Sequence, residues 1–453
     1  MRILMLSQFF DPEPAVKGLA FARELARRGH DVEVLTGFPN YPGGKLYPGY
    51  RLRPWRRETL DGVTVHRVAL YPSHDRSAVR RIANYASFAL SASVVGPLVA
   101  RKPDVVYVYH PPAPVGLPAM VLRALWDCPL VYDIQDLWPD TVASSQMVKA
   151  RWILKALDRW CRLVYRRVDR IVVLSPGFRE TLIDRGAAAE KIDVIYNWAD
   201  EASLRACPRD EALAQQFGMA GRFNVVFAGT MGIVQALDAV LEAAGICAAT
   251  VPDAQFVFVG GGVDKQRLEK RAAELRLPNT RFLPRQPLQT IGGVLSLADV
   301  LLVHLKDDPL FRITIPSKTQ AYLAMGRPVL MATAGDAADL VERSGGGVTC
   351  PPEDPPALAD AVRRLRAMEP SQREAMGDRG RQFYDGHLSL RSGVEKFERV
   401  FEDALGGKRS GRRRSAQGDR HIFRPPAVSG IQGETGRKMS QSPGLKRQER
   451  DAA

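Results

Sequence analysis

Short runs of aliphatic and β-branched residues recur along this chain, each separated from the next by a stretch long enough to hold a helix, and the rhythm occurs twice. In the first half the runs go from Ile3 to Leu6, Asp31 to Leu35, Val105 to Tyr109, Leu130 to Asp133 and Arg170 to Leu174. In the second they go from Asn224 to Ala228, Gln255 to Val259, Thr280 to Leu283, Val300 to His304 and Pro328 to Met331. Near-continuous apolar strands alternating with helices are what a parallel sheet covered on both faces requires. The pattern predicts an α/β protein of two Rossmann-like domains facing across a cleft. A length of 453 residues suits two such cores with a segment to spare.

The expected boundaries follow from composition. Tyr196-Asn197-Trp198-Ala199-Asp200 and the polar stretch after it separate the two rhythms, so the first domain is placed at 1–203 and the second at 204–385, with a returning helix at 386–405. From Gly406 the chain is rich in Gly, Ser, Arg, Pro and Gln, and 406–453 reads as a basic disordered tail. This tail carries twelve Lys and Arg against Asp419, Glu434, Glu449 and Asp451, more than half of the net charge of +14. It has no RNA-recognition motif and little aromatic interleaving beyond Phe423, so no nucleic-acid partner is expected. The five cysteines are scattered without a CxxC pair, which argues against a disulfide framework or a zinc site and for a reducing compartment. No cleavable leader pattern follows the opening apolar run, which reads as the first core strand of a cytoplasmic protein.

Two segments raise the membrane question. Residues 82–100 carry no charge, and as a helix would span about 28 Å, close to a bilayer core. Their alanines and serines make them only weakly apolar, and Gly96-Pro97 is expected to break the last turn. A helix buried in the first domain or docked shallowly on a membrane is the expectation. The stretch from Lys149 to Arg170 holds eight Lys or Arg interleaved with Trp152, Leu154, Leu157, Trp160, Leu163 and Val164. It reads as a basic amphipathic helix, suited either to an anionic membrane surface, with Arg159, Arg162 and Arg166 in front, or to an ordinary solvated face.

The strongest chemical signal is Ile315-Pro316-Ser317-Lys318-Thr319-Gln320-Ala321-Tyr322-Leu323-Ala324-Met325-Gly326, a loop, a Pro, a short helix and a Gly stop before a buried strand. Free N–H groups and the positive dipole end at such a helix start suit a diphosphate, with Ser317 and Lys318 beside it. Strands also run into glycines at Gly229-Thr230-Met231-Gly232 and at Gly260-Gly261-Gly262. Each turn alone is common in α/β proteins; three at strand carboxyl ends in one domain converge on a ligand crevice. In the first domain Lys17-Gly18, Tyr109-His110-Pro111-Pro112 and the run from Asp133 to Asp140 follow strands and are candidates for the opposite wall. His110 reads equally as a satisfied loop histidine, and Asp136 as a structural cap before Trp138-Pro139.

Taken together, SQFFDPEPAVKGLAFARELARRGHDVEVLTGFPNYP, DIQDLWPD, LSPGFRETLIDRGAAAEKIDVIYNWAD, FAGTMG and IPSKTQAYLAMGRPV resemble glycosyltransferase family 4, the retaining enzymes of GT-B fold. The similarity covers about residues 1–400 and points to the surface-polysaccharide branch, which includes N-acetyl-L-fucosamine and colanic acid transferases. The resemblance implies a UDP- or GDP-sugar donor in the second domain, and in the first a lipid-linked saccharide acceptor at the inner face of the plasma membrane, where the enzyme associates peripherally. It implies donor contacts at Gly18, Gly229, Thr230, Gly232, Arg285, Ser317 and Lys318; by their strand-end positions Gly260 joins the donor set and His110 and Asp136 join Lys318 as the candidates for catalysis. No cofactor and no metal are expected, since backbone dipoles and Lys318 offset the leaving-group charge. One departure stands out: where many members carry two glutamates eight positions apart, this chain has Ile313 and Ala321, so the ribose contact does not transfer, and Asp307 or Asp308 is the candidate replacement.

The alternatives are a nucleotide-sugar 2-epimerase, which shares the architecture but relies on acids and histidines in a chain with only seven His, and a nucleic-acid-binding protein acting through the tail. A NAD-dependent dehydrogenase is disfavoured, because no GxGxxG follows the first strand.

Overall fold

Gly18 opens the first helix because Asp11 waits at its start: Asp11 Oδ2 accepts from Leu19 N at 2.6 Å, and a Cβ on Gly18 would overlap that same oxygen. Such local signals set the elements of the computed structural model, which describes residues 1–73, 77–144, 150–204 and 206–418. In the first lobe the order is β1 Arg2–Ser7, α1 Leu19–Arg27, β2 Asp31–Gly37, β3 Trp55–Leu60, β4 Val63–Val68 and α2 Ala78–Val99. It continues with β5 Val105–His110, α3 Gly116–Trp126, β6 Leu130–Ile134, α4 Asp140–Ser144, α5 Arg151–Arg167, β7 Arg170–Val173, α6 Pro176–Asp184 and β8 Ile192–Val194.

The second lobe starts with α7 Glu211–Gln216, β9 Phe223–Thr230, α8 Leu237–Thr250, β10 Ala254–Gly261, α9 Lys265–Glu274, β11 Thr280–Leu283 and α10 Leu288–Ser296. Then come β12 Val300–His304, α11 Pro309–Arg312, α12 Ser317–Ala324, β13 Val329–Ala332, α13 Asp336–Ser344 and β14 Gly347–Cys350. The helices α14 Pro355–Ala367, α15 Pro370–His387 and α16 Leu390–Gly418 close the described chain.

Lobe 1 is an eight-stranded sheet in the order β3-β4-β2-β1-β5-β6-β7-β8, and lobe 2 a six-stranded sheet in the order β11-β10-β9-β12-β13-β14. Every pairing is parallel except β3 with β4. The strand order reverses between β1 and β5 in one sheet and between β9 and β12 in the other. Open α/β sheets form their ligand crevice at such a switch point, outside the strand carboxyl ends. Topology therefore points to the loops after β1, β5, β9 and β12.

On one face of the first sheet α2, α3, α5 and α6 bury Phe88, Ala92, Leu122, Val164 and Phe178. On the other face α1 meets α16, whose Phe397 lies 5.1 Å from Phe21 and 5.6 Å from Tyr107 between ring centroids. Phe397 and Phe401 are fully buried there, each contributing about 1.5–3 kcal/mol. The chain thus crosses between lobes twice, through the linker at 195–210 and again between His387 and Leu390. Trp198 in the linker packs on Phe21 at 5.5 Å.

Three expectations need correction. β3, β4, β8 and β14 are not among the apolar runs: β3 holds Arg56, Arg57 and Glu58 in succession at a sheet edge with none of its residues buried, His66 and Arg67 interrupt β4, and β8 and β14 hold only three and four residues. Pro97 does not break α2, which runs on to Val99: the ring removes one N–H bond, to the Ser93 carbonyl, and only two helical residues follow it. The helix α16 runs to Gly418, so 406–418 is not a structureless tail; extending an existing helix avoids the cost of nucleation. Met1–Lys408 form one unit and Arg409–Ala453 a second, of which 419–453 lie outside the described residues.

Candidate active site

The crevice of lobe 2 is built where β9 and β10 end in glycines that still pair across the ladder, Gly229 with Gly260 and Thr230 with Gly261. Gly229, Gly260 and Gly262 have φ of 139°, 142° and 149°, values that side-chain-bearing residues rarely adopt. A Cβ on Gly260 would overlap the Gly229 carbonyl and one on Gly262 the Met231 carbonyl, so the two strand ends pack backbone against backbone. Tyr322 of α12 locks the turn from below: its hydroxyl donates to Ala228 O at 3.1 Å and accepts from Ala228 N at 2.9 Å. Gly232 N donates to Gln235 Oε1 at 3.0 Å, closing the far side.

The N-terminus of α12 faces the Gly229 turn. Pro316 is its N-cap and supplies no side-chain hydrogen bond; Thr319 N turns back to Pro316 O at 2.8 Å, while the Ser317 and Lys318 N–H groups have no intrahelical acceptor and can meet a ligand. Lys318 folds back so that its Nζ stands 3.4 Å above the Phe227 ring centroid, with Cε 3.1 Å from where a Gly229 Cβ would be. That Nζ is enclosed and has no hydrogen-bond partner among the described residues. Burial pushes the ammonium down to about 7. A cation held at the positive end of a helix dipole, without a protein anion, is a site arranged for an external anion.

His304, the last residue of β12, completes this wall. Its Nδ1 pairs with Gln235 O at 2.7 Å and its Nε2 accepts from Glu353 N at 3.2 Å. Burial and the nearby Lys318 charge lower its pKa, keeping the ring neutral. Ser317 and Thr230 are exposed beside the helix start and the glycine turn. Arg285 is exposed after β11, two strands from β9 and so roughly 10 Å along the crevice.

In lobe 1 the structure sorts the candidates. Lys17 and Asp133 do not line the cleft: Lys17 Nζ pairs with Asp133 Oδ2 at 2.7 Å with both side chains fully buried. Tyr107 donates to the same carboxylate at 2.6 Å, Gln135 to its other oxygen at 2.6 Å, and Asn197 of the linker to Gln135 Oε1 at 2.7 Å. The pair is an anchor for the linker and for α16, whose Phe397 ring lies 4.9 Å from Lys17 Nζ. Opposite charges 116 positions apart carry no pairing signal in sequence. Asp140, partly exposed, is engaged by Arg185. Gly18 is buried at the start of α1.

His110 ends β5 with its ring enclosed between Tyr132 and Trp138, at centroid distances of 5.6 and 6.0 Å. Among the described residues neither ring nitrogen has a partner, and burial pushes its pKa down to about 3, so it stays neutral at working pH. Asp136 keeps a partly exposed carboxyl whose pKa is raised by burial. Its charge is felt by the Tyr85 and Tyr109 hydroxyls, which places an acid among aromatic rings of lobe 1. Asp307 and Asp308, the candidates for the ribose, are engaged within their own loop: Asp307 pairs with Arg312 at 2.9 Å, and Asp308 accepts from Leu310 N at 2.9 Å. Tyr322, Gln235 and His304 went unnoticed in the sequence because nothing in their local pattern marks them.

Residues 15–198 match the family described as glycosyl transferase 4-like domain, and 222–367 match glycosyl transferases group 1, one in each lobe. The chain belongs to glycosyltransferase family 4. This glycosyltransferase is 28% identical over 382 residues to a putative colanic acid biosynthesis glycosyl transferase, WcaI, of Escherichia coli K12, covering 80% of this chain and 92% of the relative. It is 26% identical over 302 residues to the probable glycosyltransferase WbjE of Pseudomonas aeruginosa, covering 66% and 74%. Among solved structures it is similar to Anabaena HepE in complex with UDP, at a TM-score of 0.64 and 17% identity over 89% of this chain and all of the other. That likeness shows the GT-B fold. None of these matches is an epimerase.

Proposed function

We propose that the glycosyltransferase moves a sugar, with retention, from a UDP- or GDP-sugar to a lipid-linked saccharide in bacterial surface-polysaccharide synthesis. The observation that carries the reading is the unpartnered Lys318 Nζ at the uncapped start of α12, facing the Gly229 turn. In this reading the donor diphosphate lies on the α12 N–H groups, Ser317 and Lys318, with Thr230 and Gly232 beneath it and the base toward Arg285. Charge that builds on the leaving diphosphate is offset by Lys318 and by fixed backbone dipoles, which need no reorganisation as the bond breaks. Asp136 orients the acceptor hydroxyl from the opposite wall, while His110, neutral and enclosed, shapes that wall. The complex of HepE with UDP and the names of WcaI and WbjE support the donor class and the polysaccharide setting. Mass spectrometry of hydrolysis and transfer over a panel of nucleotide sugars tests it; no turnover and no nucleotide binding across the panel would remove the reading.

The same proposal places the protein at the cytoplasmic membrane face, held by an anionic surface. Two features support this. The outer side of α2 leaves Val79, Leu90, Val94 and Leu98 between 60% and 80% exposed while its inner side packs on the sheet. On the same sheet face α5 presents Arg151, Lys155, Arg159, Arg166 and Arg167 with Trp152 at 73% exposure. An apolar stripe and a basic, Trp-bearing helix on one sheet face, with α3 between them, suit interfacial docking. Arg162 is not a leading contact: it pairs with Asp158 at 2.8 Å and donates to Arg185 O at 3.0 Å. Lys149 lies outside the described residues.

A further inference from the structure

The two lobes also touch away from the linker, just upstream of α12. Ser175 caps α6 in lobe 1, accepting from Phe178 N at 3.2 Å, and its hydroxyl donates to the Ile313 carbonyl of lobe 2 at 2.6 Å. Two positions on, Gly177 N donates to Asp336 Oδ2 at 2.7 Å. A carboxylate from the first turn of α13 thus caps a helix of the other lobe. The Ile313 side chain fills the notch that Gly177 leaves: a Cβ on Gly177 would meet Ile313 Cβ at 2.5 Å and overlap its Cγ2. Ile313 belongs to lobe 2 by chain position, yet it packs on the apolar core of lobe 1.

Within lobe 2 the two gripping elements form one piece. Gly335 has φ +78°, and a Cβ there would overlap the Arg312 carbonyl, so the Arg312-Ile313 turn and the start of α13 are in backbone contact. The Arg312–Asp307 pair braces the same turn. Ile313 stands four positions before Ser317 at the start of α12. Movement of this grip therefore moves the helix start that carries Lys318.

We infer that Ser175, Gly177, Ile313 and Asp336 form a latch that sets how α12 is presented to the acceptor lobe. They act as positioning residues for sugar transfer and do not touch substrate. The inference rests on reading α12 as the diphosphate helix. It also accounts for the isoleucine where the family resemblance would place a glutamate, since a carboxylate pressed into the lobe 1 core would be desolvated without a partner.

Hydrogen exchange on the full chain without nucleotide reads the latch directly. Gly177→Val and Asp336→Ala should each raise exchange in peptides covering 175–178 by about tenfold, the scale of one lost charge-assisted bond. Asp336→Asn, whose amide oxygen still accepts, should stay near wild type. Amides of β5 and β9, deep in the two cores, should not change in any variant, which separates opening from unfolding. Calorimetric affinity for UDP should stay within about twofold, while kcat/KM for transfer falls about tenfold in the two disruptive variants and recovers in Asp336→Asn. Unchanged exchange at 175–178 in both disruptive variants, or a rise matched by the core amides, would overturn the latch. Failure of the wild type to bind UDP would overturn only the donor reading, because the exchange arm needs no nucleotide.

Discussion

Replacing Lys318 by alanine removes the enclosed cation that faces the Gly229 turn, and the size of the effect follows from its surroundings. In the free protein burial holds this ammonium at about 7, against 10.5 for an ordinary lysine. A bound diphosphate stabilises the charged form, so the pKa rises again in the complex. At pH 8 the free protein carries about a tenth of a proton on this group and the complex nearly a whole one. Binding should then take up about 0.9 proton, and Kd should rise about tenfold per pH unit above 7 until the pKa of the complex is reached. Below pH 7 both forms are charged and this group contributes no slope. Lys318→Ala should weaken UDP binding at pH 7 by about 1.5–3 kcal/mol, the worth of a charge-assisted hydrogen bond, and should abolish the proton uptake at pH 8. Calorimetry in buffers of different ionisation enthalpy measures both. Wild-type binding without proton uptake at pH 8, or unchanged affinity in Lys318→Ala, would refute the argument.

Other outcomes follow from the same geometry. Gly260→Ala sets a Cβ into the Gly229 carbonyl at φ 142°, so thermal unfolding should show a loss of about 1–3 kcal/mol together with weaker UDP binding; a wild-type melting temperature would contradict the close approach. Lys17→Met leaves Asp133 buried and unpaired, which should cost about 3–5 kcal/mol in chemical denaturation. Adding Asp133→Asn should recover part of that loss, and no difference between the single and double variants would rule out a buried charge pair. In flotation the protein should bind anionic but not neutral liposomes, release in high salt and lose affinity in Arg159→Glu with Arg166→Glu. Equal binding to both liposome types would remove the electrostatic attachment, and loss of all binding on deleting 406–453 would shift it from α5 to the tail.

The sequence made the two sheets readable because their central strands are continuous apolar runs, and the α12 site readable because Pro316-Ser317-Lys318 marks a helix start without a cap. What escaped it depends on distance along the chain. Edge strands such as β3, with Arg56, Arg57 and Glu58 in succession, look like surface loop. Lys17 and Asp133 each look like cleft residues until the fold turns them toward one another. The contact of Gly177 with Asp336 joins two lobes through a backbone N–H, a group that every non-proline residue carries and no pattern distinguishes. His110 has a catalytic residue type and a strand-end position, yet its enclosure is set by Tyr132 and Trp138, which the local sequence does not bring together.

Transfer itself is the most direct measurement of the central claim. Incubation of the purified protein with a panel of UDP- and GDP-sugars and polyprenyl-diphosphate saccharides, followed by mass spectrometry of the lipid fraction, should show one added sugar for each nucleoside diphosphate released. It should be lost in Lys318→Ala and retain the anomeric configuration of the donor. Donor converted to another nucleotide sugar without an acceptor, or no turnover with any pair, would contradict the account.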